Sequence, residues 1–134
     1  MESLSKNDIV TEIYTALPLG NVPGDLAPEA LLEILSKTLV ERFRNYQTTG
    51  FDDVFARVEH HLIWNPPEVR QWLIIHFLET LKNVAIWSDV DYIVFEQWLG
   101  PETHVAWRWL EKRWRGNQSL ADTVRFDGKR KNSE

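Results

Sequence analysis

Residues 66–86, PPEVRQWLIIHFLETLKNVAI, decide the fold. The paired prolines break whatever precedes them and open a new helix, because the first helical turn has no use for the N–H that Pro lacks. From Val69 to Ile86, the side chains of Trp72, Leu73, Ile74, Ile75, Phe77, Leu78, Leu81 and Val84 cover most of a helix circumference. Water tolerates an apolar stripe but not an apolar cylinder, so the spacing predicts a central helix over about 67–86, enclosed by other helices.

Working back toward the N-terminus, Ser5 and Asp8 have the spacing of a capping box. Ile9, Ile13, Ala16 and Leu17 then share one helical face, ending near Pro18. Residues 18–27, PLGNVPGDLA, carry two Pro and two Gly and read as a loop. Pro28 starts a second helix whose apolar stripe is Leu32, Leu35, Leu39, Phe43 and Tyr46, with Glu33, Lys37, Glu41 and Arg44 opposite as a solvated face. A third helix follows Gly50. Asp52 and Asp53 suit its positive first turn, Phe51, Val54, Phe55, Val58 and Leu62 face inward, and it ends about Trp64 and Asn65.

On the C-terminal side, Ser88 and Asp91 repeat the capping spacing, and Val90, Ile93, Val94, Trp98 and Leu99 predict a short fifth helix ended by Gly100. Pro101 opens a sixth helix reaching about Arg115, with Gly116 as its stop. The expected architecture is all-α: a compact bundle of about five to six helices in one domain, residues 1–116. A polar tail follows over 117–134, whose first part Leu120, Val124 and Phe126 would let dock back.

At 134 residues, 43% hydrophobic and 26% charged, the chain suffices for one core and divides poorly into two. Seven Trp, six Phe and three Tyr argue against disorder in its middle. The lack of Cys excludes disulfides, thiol nucleophiles and thiolate metal sites. Met1–Val10 has no apolar export region and no run approaches about 18 apolar residues, so a cytoplasmic protein without a membrane span is expected. The net charge of −5 is uneven, with 15 acids against 7 bases in residues 1–100 and 5 against 8 thereafter. An acidic body suits a basic partner and disfavours nonspecific nucleic-acid binding.

Catalytic patterns are sparse. His60 and His61 are adjacent, whereas ligands on one helix face need spacing of three or four, so at most one of them joins His76 and a carboxylate such as Glu79. Asp52/Asp53 and Asp89/Asp91 sit where helix starts ordinarily favour negative charge. No phosphate loop, nucleophile elbow, HExxH or EF-hand pattern occurs, and no catalytic residue, metal or cofactor is expected. The sixth helix is richer. Trp107 and Trp114 share one side, Trp109 points roughly 200° away from Trp107, and Arg108, Lys112 and Arg115 form a basic stripe. Either a second element covers the other side, or a Trp–Arg surface is left for a partner.

The segment PPEVRQWLIIHFLETLKNV resembles the second helix of a HEAT-type unit, which implies local helix-pair packing. Across Glu68–Trp114 the order Glu68-Val69-Arg70, Phe77-Leu78-Glu79-Thr80-Leu81-Lys82-Asn83, Val94-Phe95, Leu99-Gly100-Pro101-Glu102, then Trp107, Leu110 and Trp114, resembles a family of small uncharacterised bacterial helical proteins. That resemblance covers about a third of the chain and is associated with toxin immunity. It implies no catalytic residues.

These readings converge on a non-catalytic protein-binding module of immunity type, neutralising a cognate toxin by stoichiometric binding. Asp25, Glu29, Asp89, Asp91 and Glu96 are its expected acidic contacts, and Trp107, Arg108, Lys112 and Arg115 its second candidate surface. The rivals are an adaptor acting through self-association as a homodimer, and a metal-dependent hydrolase using His60 or His61 with His76.

Overall fold

A computed structural model describes residues 5–17 and 25–126, with the side chains of the last helix described as far as Arg113. Its elements are α1 (Lys6–Tyr14), α2 (Pro28–Arg44), α3 (Phe51–Trp64), α4 (Pro67–Leu73), a π-helical stretch (Ile74–Glu79), α5 (Thr80–Trp87), a 3₁₀ turn (Tyr92–Trp98) and α6 (Pro101–Phe126). The described residues are all-α. Residues 18–24 of the expected loop, and 127–134 of the expected tail, lie outside them.

Each helix start follows local chemistry. Ser5 Oγ accepts the Asp8 N–H at 3.1 Å, and Pro28 and Pro67 occupy the first turns of α2 and α4. Gly50 precedes α3 in the left-handed region at φ +90°, and a Cβ there would meet Leu17 Cδ2 at 3.0 Å.

Residues 67–87 run helically throughout as α4, the π stretch and α5, which form the expected central helix. The π turn within it was not legible in the spacing. Along this helix Leu73, Phe77, Leu78, Leu81, Lys82 and Ala85 are buried, while Gln71 and Asn83 face solvent. It is enclosed by α2 on one side, by α6 on another and by the 3₁₀ turn near its end. Trp72 Nε1 donates to Glu29 near the start of α2 at 3.3 Å, so α2 and the central helix run side by side in the same direction. Aromatic rings join the layers: Phe43–Phe95 centroids lie 5.7 Å apart, Phe51–Trp98 4.9 Å and Phe55–Phe77 6.0 Å.

Three sequence expectations are corrected. Tyr46 does not extend the α2 stripe: it stands 94% exposed at φ +62°, because α2 ends at Arg44 and the chain leaves in a Schellman turn. There Gln47 N–H donates to the Arg42 carbonyl and Tyr46 N–H to that of Phe43. The short fifth helix does form, as the 3₁₀ segment Tyr92–Trp98, but its expected capping box is split: Ser88 caps the end of α5 and Asp91 starts the 3₁₀ turn by accepting the Ile93 N–H. Gly116 does not stop α6, which continues to Phe126. One helical Gly costs only about 1 kcal/mol, too little by itself to end a helix.

Candidate protein-binding surface

The two faces of α6 separate its tryptophans. Thr103, Ala106, Trp107 and Leu110 recur at helical spacing and turn inward, Trp107 with no exposure at all. Trp107 is therefore a core residue rather than part of a binding surface. Its ring packs edge-on against Tyr92, with centroids 5.9 Å apart. Trp109 faces outward, 42% exposed, and Val105 one turn earlier is 64% exposed. The Arg113 guanidinium lies 5.5 Å from the centre of the Trp109 ring.

Opposite this face stand Pro67, Arg70 and Ile74 of α4 and the π stretch. Two adjoining hollows of about 180 and 310 Å³ share Arg70, Ile74 and Trp109 in their walls. Arg108 and Lys112 are exposed on the same helix, whereas the side chains of Trp114 and Arg115 lie outside the described residues. The result is an apolar furrow with a Trp at its lip and guanidinium groups beside it.

The expected acidic contacts do not gather into one patch. Asp25 and Glu29 lie exposed at the start of α2, whereas Asp89 and Asp91 lie exposed beyond the end of α5. Fifteen residues of helix between Trp72 and Trp87 put these ends about 22 Å apart. Glu96 faces His104, with 3.7 Å between Oε1 and Nε2. Several acids have local roles as well. Asp89 occupies the left-handed position (φ +63°) of a second Schellman turn, in which Val90 N–H donates to the Ala85 carbonyl. A backbone hydrogen bond at Glu29 holds its carboxyl below the ordinary value, against a smaller opposing push from burial, with help from the Trp72 indole and the charges of His76 and Lys6.

The histidines do not converge. His61 is buried and bonded to Glu12 of α1 through Nε2. Asn65 Nδ2 donates to the His61 carbonyl at 2.9 Å and lies 3.2 Å from Nδ1, so the ring is held between Glu12 and Asn65. His76 instead packs on Trp72 with ring centroids 5.2 Å apart, and His60 is exposed. Among the described residues no group of three or more His, Asp or Glu is placed to hold a metal ion, so the His60/His61–His76–Glu79 arrangement is not assembled.

Two residues escaped the sequence reading. Lys82 is completely buried, its ammonium 3.9 Å from the Tyr92 ring centre, 4.2 Å from that of Trp107 and 3.8 Å from Glu111 Oε2. One signal was available: on a helix apolar nearly all round, any Lys meets another element. Glu59 accepts the N–H groups of Glu102 and Thr103 at 2.9 and 2.8 Å and so caps α6 from α3, for which the sequence holds no local cue. No family model, curated protein or solved structure matches the chain.

Proposed function

We propose that this chain is a non-catalytic protein-binding module of the toxin-immunity type, acting in the cytoplasm by occluding a cognate toxin stoichiometrically. The observation that carries the reading is the exposed Trp109 at the lip of the α4–α6 furrow, with Arg113 over its ring and Val105 one turn away. Trp and Arg bordering a small apolar hollow is the composition in which interface binding energy concentrates. The acids are dispersed, so their part is long-range steering of a basic partner by the field of the whole body rather than a contact patch.

The test is recovery of the tagged chain from its native lysate at low and high salt. A single partner in near-equal amount is expected, captured faster at low salt and lost with Trp109→Ala. Recovery of the chain alone, or of a partner indifferent to Trp109→Ala, overturns the reading.

A further inference from the structure

We infer that the groove between α2 and α5 is the interface of an isologous dimer, in which α2 lies antiparallel to α2 of a second copy. This goes beyond the toxin-binding reading and is independent of it, because no residue that lines the groove also lines the α4–α6 furrow.

The groove holds about 550 Å³, with Val40 and Val84 in its floor and Trp87 on its rim. Trp87 is 87% exposed and Ile86 beside it 51%, a large apolar area for water to cover. The α2 wall is a stripe of one turn per step whose charges alternate: Glu33, Lys37, Glu41, Arg44.

That order is self-complementary under a two-fold axis. With two copies of α2 antiparallel about an axis close to Leu39, Glu33 comes level with Arg44 of the second copy and Lys37 with Glu41, the two pairs being centred half a residue apart. Each pairing occurs twice, so all four charges on both helices find the opposite sign. In a parallel register like charges would oppose one another. Because α2 and the central helix run in the same direction, Trp87 lies at the Arg44 end of the groove. The axis carries it to the Glu33–Lys37 end of the second copy, where the Lys37 stem and ammonium offer it a partner. Within one chain Glu33 and Lys37 already touch at 3.1 Å, an exposed pair worth only a few tenths of a kcal/mol that an interface readily redirects.

The test is sedimentation equilibrium of the full chain over a wide concentration range, at low salt and at roughly 0.5 M salt, which screens such pairs. A reversible dimer weakened by salt is expected. Lys37→Glu should weaken it at least about tenfold, because each reversal places like charges together twice. The double variant Lys37→Glu with Glu41→Lys should restore it. Glu33→Arg with Arg44→Glu should also restore what Glu33→Arg alone removes, a second swap that guards against a misfolded first one. Trp87→Ala should weaken the dimer without a swap to rescue it. A wild-type monomer throughout, a dimer unmoved by Lys37→Glu, or folded double variants that stay monomeric each overturn the proposal.

Discussion

Glu59 Oε1 accepts both the backbone N–H of Thr103, at 2.8 Å, and its hydroxyl, at 2.7 Å, so a carboxylate of α3 closes the start of a helix 44 residues further along the chain. Oε2 takes the Glu102 N–H, and the negative charge sits at the positive end of the helix dipole. The approach is possible only because residue 100 is Gly: a Cβ there would fall 2.6 Å from the Glu59 carboxyl. Glu59→Ala should therefore cost about 2 kcal/mol, the upper range for losing a helix cap. Gly100→Ala should also destabilise, and far less in the Glu59→Ala background. Denaturant unfolding of the double-mutant cycle reads this coupling, and simple additivity would refute the shared geometry.

Glu29 ties α2 to the central helix in a pH-dependent way. Its folded carboxyl titrates below the ordinary 4.5, chiefly through the backbone hydrogen bond at the start of α2 and secondarily through the Trp72 indole. The contribution is complete above the unfolded value and is lost as pH falls through the lower folded value. Carboxyl titration by NMR should place Glu29 below ordinary Glu residues, and Trp72→Phe should raise it. Glu29→Gln should flatten part of the acid limb of the stability profile.

The core separates two aromatic residues that look equivalent in sequence. Phe77 has no exposure, whereas Trp72 is only partly buried, with its indole N–H on Glu29. Phe77→Ala should cost about 3–5 kcal/mol and Trp72→Ala distinctly less. Thermal melts of the two variants in one buffer decide the order.

Periodicity revealed the enclosed central helix because burial on all sides leaves an unambiguous trace: apolar residues at every angle. It fared worse wherever two patterns overlapped. Trp107 and Trp109 are two residues apart, and sequence gives their opposite directions but not which side the fold covers. Ser88 and Asp91 had the spacing of one cap and serve two different helix ends. The burial of Lys82 was set by α6 and the 3₁₀ turn, elements distant in sequence, so only the all-round apolar character of its own helix hinted at it.

The end of α2 offers a stabilising substitution. Tyr46 holds the left-handed position of the Schellman turn, where a side chain other than hydrogen costs roughly 1–2 kcal/mol, and its ring, almost wholly in solvent, returns little. Tyr46→Gly gives up some of this gain through the freedom of Gly in the unfolded chain. The expected net is about +0.5–1 kcal/mol and a melting point a few degrees higher. A lower melting point would mean that the Tyr46 ring packs on the body in solution.

Lys82 carries the largest electrostatic demand in the core. Taking an ammonium fully out of water costs several kcal/mol, and the faces of Tyr92 and Trp107 together with Glu111 repay part of this. Glu111 is about one-fifth exposed, so its own charge remains partly hydrated when the pair is broken, whereas that of Lys82 does not. Removing the acid should then hurt more than removing the base: Glu111→Gln should destabilise by roughly 2–3 kcal/mol, and Lys82→Met by less, since Met fills the aromatic slot without a charge. Lys82→Met combined with Glu111→Leu should recover or exceed wild-type stability, as apolar replacements of buried pairs often do. If the double variant instead unfolds more easily than either single one, the pair contributes net stability and the aromatic faces act as a true cation site.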